Sequence, residues 1–229
     1  MTLGEVLNRL ERRYGRQSSP APGDPYEMLL YANAGYPPSE AACSEGFAAL
    51  KARIGVEPAA ILTAADAELA AVLRRGGILP ELRAGRLKTI AAAQQDEFRG
   101  DLRTALAGPP AKAKKLLKRF PTIGDPGAEK ILLFAGVSPE PAVPSNCIQV
   151  LSRLGLAEEG KDYASSYRSA QAVVRAELPA TIEARQRAYL LLRIHGETLC
   201  KRKAPLCAEC PLADGCRYVA EGAGPKPGG

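Results

Sequence analysis

In the first residues of the chain, Leu3, Val6, Leu7 and Leu10 recur three and four apart among charged neighbours. That spacing lines one face of a helix. The same period returns along most of the chain. YEMLLYANAG reads as a short buried helix ending at Gly35, and Ser39 is placed to cap a helix through AACSEGFAALKARIG. ADAELAAVLRR and AGRLKTIAAAQQDEF predict two more, separated by GGILPEL, and DLRTALAG a short one. SNCIQVLSRLG, YASSYRSAQAVVRAEL and TIEARQRAYLLLRIHGETL complete the helical set. No stretch sustains alternation with β-branched residues, so no sheet is predicted. QSSPAPGDP, residues 17–25, reads as a linker, and AEGAGPKPGG, residues 220–229, as a flexible tail. The fold class is all-α.

One turn has unusual chemistry. Between the lysine-rich helix AKAKKLLKR and the apolar helix KILLFAG lies FPTIGDPGAEK, with two Gly and two Pro within seven residues. This is a tight helix–helix turn. Asp125 suits an N-cap and Pro126 the first helical position.

Composition places the chain among soluble globular proteins: 229 residues, 46% hydrophobic and 24% charged. No apolar run is long enough to span a bilayer. MTLGEVLNRLERRYG carries no apolar core of a signal peptide, so the expected location is the cytoplasm or nucleoid. The net charge of +6 is compatible with a polyanionic partner. Basic residues cluster at Arg12, Arg13 and Arg16, at Lys112 to Arg119, and at Lys201, Arg202 and Lys203.

Four of the six Cys fall in the last thirty residues. In CKRKAPLCAECPLADGC, Cys200, Cys207, Cys210 and Cys216 are separated by six, two and five residues. Four thiolates suit tetrahedral zinc or a four-iron cluster. Zinc sites usually pair two tight knuckles, whereas a cubane tolerates uneven loops, so spacing favours iron–sulfur modestly and leaves zinc open. Cys43 and Cys147 read as small buried thiols. His195, the only His, is expected to pack beside the site without ligating.

The segment LLLRIHGETLCKRKAPLCAECPLADGC resembles the cluster region of the endonuclease III family, helix-hairpin-helix DNA glycosylases with a C-terminal [4Fe-4S] loop. The resemblance implies a two-lobed fold. Residues 1–22 would form an N-terminal helix packing with the cluster lobe. Residues 23–138 would be a helical bundle ending in the helix-hairpin-helix, and residues 139–219 the C-terminal lobe. The family's hairpin pattern, close to L-P-G-h-G-x-K-T-A, is similar to Phe120-Pro121-Thr122-Ile123-Gly124, with Ala128 at the closing position. Its amides bind a DNA phosphate, which implies DNA contacts from Thr122, Ile123 and Gly124. The lysine-rich helix would add positive charge, and the basic loop Lys201, Arg202 and Lys203 a second set of contacts. Asn33 lies nearest the position where the family inserts a Gln into the space of an extruded nucleotide.

Two departures bear on chemistry. Pro126 stands where bifunctional members carry the Schiff-base Lys. Pro144, in Val143-Pro144-Ser145-Asn146, stands where members carry an Asp. Lys130, one helical turn after Pro126, and Asp125 are the nearest substitutes for the amine and carboxylate, with Glu129 a further carboxylate. Two functions therefore stay open. One is a monomeric base-excision-repair glycosylase of double-stranded DNA that lacks efficient lyase chemistry. The other is a catalytically silent DNA-binding or damage-sensing protein.

Overall fold

The computed structural model describes residues 1–222, apart from the side chain of Asn146. Thirteen α-helices occur among the described residues, in the order α1 Leu3–Tyr14, α2 Pro25–Ala34, α3 Glu40–Arg53, α4 Pro58–Thr63, α5 Asp66–Leu73, α6 Pro80–Asp96, α7 Leu102–Leu106, α8 Pro110–Leu117, α9 Asp125–Phe134, α10 Ile148–Leu154, α11 Tyr163–Glu177, α12 Ile182–Thr198 and α13 Arg217–Ala220. Among these residues there is no strand, and only one isolated bridge joins Tyr36 to Gly77. The all-α expectation agrees with this. The helices α4 and α13, of six and four residues, were not anticipated from periodicity. The expected tail begins inside α13, and residues 223–229 lie outside the described residues.

The chain forms two compact units. One takes Met1–Ser18 and the chain from Pro139 on, and the other takes Ser19–Ser138. The first has a core of Leu3, Val6, Leu7 and Leu10 from α1 with Val150, Leu151, Ala170, Val174, Leu191 and Leu192. A capping box starts α1: Thr2 Oγ1 accepts from the Glu5 amide, and Glu5 accepts from the Thr2 amide.

The second unit is built around α2, whose Met28, Leu29, Leu30 and Ala34 are buried. Asp24 caps α2 by accepting from the Tyr26 and Glu27 amides, and Pro25 occupies its first turn. Leu50, Ile61, Leu69, Leu87, Ile90 and Leu117 close the core around it. Helix α3 approaches the end of α2 closely. A Cβ on Gly46 or Gly76 would collide with the Ala34 carbonyl, so both positions require Gly.

The start of α9 differs by one residue from the local reading. Gly124 is its N-cap, with extended backbone, and Asp125 is already helical. The Asp125 side chain is engaged elsewhere. Lys118 Nζ lies 2.9 Å and Lys114 Nζ 3.7 Å from Asp125 Oδ1, drawing the carboxylate toward α8 and away from the cap.

Candidate functional site

The hairpin between α8 and α9 is the best-defined candidate surface of the second unit. Thr122 adopts φ +66°, the left-handed region where the related pattern has Gly. A β-branched residue is strained there, and a side-chain bond compensates: Thr122 Oγ1 donates to Asn33 Oδ1 at 3.1 Å. Asn33 Nδ2 in turn donates to the carbonyls of Pro121 (3.2 Å) and Leu29 (3.0 Å). Asn33 is therefore buried beneath the hairpin with its amide committed inside the unit, not directed at a ligand.

Above that support, Thr122 and Gly124 are exposed while Ile123 packs inward. The Ile123 amide donates to the Phe120 carbonyl, but the Thr122 and Gly124 amides have no hydrogen bond among the described residues. No side chain caps α9. Open amides at a helix start form a receptor for an anion.

The lysine-rich helix contributes less charge than its composition suggests. Lys114 bonds Glu129 at 3.0 Å as well as facing Asp125, and Lys118 is taken by Asp125. The Lys118 ammonium holds the Asp125 carboxyl below the usual carboxylate range. Arg119 pairs with Glu97 at 2.7 Å. Lys112 and Lys115 are exposed.

In the first unit, Cys200, Cys207, Cys210 and Cys216 line one pocket together with His195 and an apolar wall that includes Val150, Leu199 and Leu212. Cys207 and Cys216 enter from short 3-10 turns, and Cys200 follows the end of α12. Arg153 of α10 organises the entrance. Its guanidinium lies 3.4 Å from Cys200 Sγ and donates to the carbonyls of Lys201 (2.7 Å) and Arg202 (2.9 Å). The basic loop Lys201, Arg202 and Lys203 is thereby pinned at its backbone while its side chains face solvent. Arg153 also stacks on the Tyr218 ring, 4.8 Å from its centroid.

His195 is buried between Tyr14 and Cys210. Nδ1 lies 3.1 Å from Tyr14 Oη and Nε2 3.7 Å from Cys210 Sγ. Burial pushes its pKa down to about 4. Burial also raises the thiols of Cys200 and Cys207, and that of Cys210 to about 11, so a cation taken up here must displace protons. The donor set of four thiols in an apolar wall fits thiolate-bound iron or zinc. Among the described residues, no three His, Cys, Asp or Glu side chains form a group arranged to hold a metal ion.

No protein-family model matches the chain. In sequence it is 33% identical over 107 residues to a thymine-DNA glycosylase of Aeropyrum pernix, a match covering 46% of this chain and 48% of that protein. It is 27% identical over 157 residues to a thymine/uracil-DNA glycosylase of Pyrobaculum aerophilum, covering 69% of this chain and 64% of that protein. The chain thus matches about half the length of the first relative and just under two thirds of the second. In structure it is similar to endonuclease III in a trapped covalent intermediate with DNA. The TM-score is 0.74 at 18% identity, over 97% of this chain and 99% of that one. The chain has the endonuclease III fold.

The two positions that the resemblance compares with the family's amine and carboxylate are both proline. Pro126 lies in the first turn of α9 and has neither an amine nor an N–H. Pro144 precedes a 3-10 turn, Ser145–Cys147, and is buried. Lys130 is on α9 one turn beyond Pro126. Its Nζ lies 3.6 Å from Glu40 Oε2 and 5.9 Å from the Tyr31 ring centroid. Asp125 is engaged with two lysines, and Glu129 is buried against Lys114.

Three features escaped the sequence reading. Tyr36, Ile78, Leu79 and Leu82 expose their apolar side chains. Backbone bonds join their segments, from the Tyr36 amide to the Gly76 carbonyl and from the Ile78 amide to the Tyr36 carbonyl. Beneath them Arg83 is fully buried and donates to the carbonyls of Ala34, Leu73, Gly77 and Ile78. The available signal was GGILPEL, where apolar residues sit in a Gly/Pro-marked turn. Arg153 and Glu40 were the other two. Nothing in one sequence shows which partner either of them reaches across the fold.

Proposed function

We propose that the protein binds double-stranded DNA as a monomer and releases a damaged or mismatched base by cleaving the N-glycosidic bond, without efficient strand-cleaving lyase chemistry. Thymine and uracil are the first candidate bases, from the names of the two relatives in sequence. The observation that carries this reading is the hairpin. Its exposed amides at the uncapped start of α9 suit a backbone phosphate, and the buried Asn33 holds them in place. The supported apolar group of Tyr36, Ile78, Leu79 and Leu82 suits insertion into a base step, which holds a duplex open while a nucleotide is turned out.

A second reading, a silent DNA-binding or damage-sensing protein, is favoured by the replacement of the amine and carboxylate positions by Pro126 and Pro144. Incubation with duplexes holding uracil or thymine opposite guanine, with and without borohydride, separates the two. Base release that leaves an uncut abasic strand and no covalent adduct is expected. Binding without release on any duplex would establish the silent reading.

Cys200, Cys207, Cys210 and Cys216 would hold a [4Fe-4S] cluster. Their thiols line one pocket, and their uneven spacing of six, two and five residues suits a group that takes one thiolate on each of four irons. Such a group ties the three loops between the ligands together. Arg153 then serves both sides, donating toward the Cys200 sulfur and fixing the basic loop. Analysis of protein purified without air is expected to give about four iron and four sulfide per chain. Stoichiometric zinc would overturn the assignment.

A further inference from the structure

Three side chains from separate helices meet in the hairpin unit. Tyr31 of α2 donates its hydroxyl to Glu40 Oε1 at 2.5 Å and lies 2.8 Å from Ser44 Oγ, both on α3. Lys130 of α9 approaches the other carboxylate oxygen at 3.6 Å and lies over the Tyr31 ring. Tyr31 is buried, whereas the side chains of Glu40 and Lys130 keep 20% and 23% of their surface exposed. Burial, and the carboxylate its hydroxyl serves, raise the Tyr31 phenol well above its ordinary value, so it stays a donor.

A carboxylate held in one orientation through both oxygens, with 20% of its surface still exposed, can be reached by a water molecule. The two carboxylates nearest the hairpin in sequence are differently placed. Asp125 is shared by two lysines, and Glu129 is buried. Lys130 shares the face of α9 one turn beyond Pro126, so the cluster lies along the helix that starts at the open amides.

We infer that Glu40 is the general base of base release, with Tyr31 and Lys130 as its positioning residues. This rests on the reading of the protein as a base-releasing enzyme. Water attacks C1′ of the deoxyribose, and its proton passes to the Glu40 carboxylate. The C1′–N bond breaks and its electron pair leaves on the base nitrogen. The proton then returns from Glu40 to the base. One water is consumed, nothing is oxidised or reduced, and the products are the free base and an abasic sugar bearing a 1′-hydroxyl. No amine bonds to the sugar at any step.

The test uses the whole protein under single-turnover conditions on duplexes carrying one uracil or one thymine opposite guanine. Glu40→Gln is expected to slow release by roughly 100- to 10,000-fold, the range of general acid–base catalysis, with duplex affinity unchanged. Glu40→Ala is expected to be equally slow and to recover in part on adding formate, a rescue that a merely structural carboxylate would not show. Tyr31→Phe slows release less. A folded Glu40→Gln protein that keeps the wild-type rate overturns the assignment alone. Should that variant not fold, Glu40→Asp keeps the charge but withdraws the carboxylate by one methylene. Normal release from it would equally overturn the assignment. Wild-type protein that binds these duplexes and releases neither base removes the base-release reading and Glu40 with it.

Discussion

At Thr122 the hairpin holds a β-branched residue in the left-handed region, and one hydrogen bond to Asn33 offsets the strain. Two substitutions separate the contributions. Thr122→Ala keeps a Cβ at positive φ and loses the bond, so it is expected to destabilise by about 1 kcal/mol. Thr122→Gly also loses the bond but relieves a strain of roughly 1–2 kcal/mol, and should be neutral or slightly stabilising. Asn33→Ala deprives the Pro121 carbonyl of its donor and should cost about 1–3 kcal/mol. Urea melts of the three variants check the order. An Asn33→Ala protein of wild-type stability would mean that the hairpin does not depend on that support.

Among the elements, the turn between α5 and α6 depends on Arg83. A buried guanidinium without a carboxylate is tolerable only because four carbonyls accept from it. The burial lowers its pKa from the usual guanidinium range. Lysine has three donors on one point and cannot reproduce a planar fork over four acceptors. Arg83→Lys is expected to cost about 3 kcal/mol, the scale of a broken buried polar network. It should also raise hydrogen exchange at the Ile78 amide, which donates to the Tyr36 carbonyl. Exchange there at the wild-type rate would show that the two backbone bonds hold the turn unaided.

For the molecule as a whole, charge bears on the proposed DNA partner and on stability. Binding to duplex DNA is expected to weaken steeply with salt, as ions condensed on the phosphates are released. Replacing Lys201, Arg202 and Lys203 by Ala should flatten the log–log slope by up to about 3, roughly 1 for each lost phosphate contact. An unchanged slope would place the contacts elsewhere, with Lys112 and Lys115 the next residues to replace. Stability carries an acid limb. Glu11 is held low by its bond to Arg187, Asp125 by Lys118 and Asp214 by Arg9, while Asp101 and Asp162 are held low by the helix starts they cap. A carboxylate depressed in the folded state stabilises above its unfolded pKa, and that contribution is lost as pH falls through the folded value. The melting temperature should therefore decline below about pH 6.5, where His195 takes up a proton on unfolding but not in the folded state, and more steeply below about pH 4 as the carboxylates follow. A midpoint that holds or rises below that point would contradict the ion-pair and cap assignments.

Local pattern alone determined the all-α class, the long helices, the turn at FPTIGDPGAEK and the thiol set of Cys200, Cys207, Cys210 and Cys216. Helical period, Gly and Pro backbone limits and ligand spacing are all short-range properties. The prolines at positions 126 and 144, where the resemblance implies an amine and a carboxylate, were legible for the same reason, since each is a single position in a local motif. Tertiary structure decided which side chains meet. Asn33 lies 88 residues from the Pro121 carbonyl that it supports, and Arg83 lies 49 from that of Ala34. Lys130 reaches Glu40 across two helices, and Lys114 and Lys118, which composition suggested as free positive charge, are occupied by Asp125 and Glu129. Periodicity tells which face of a helix is buried but not which other face it meets. Whether a charge remains available for DNA or is spent inside the protein depends on that second choice.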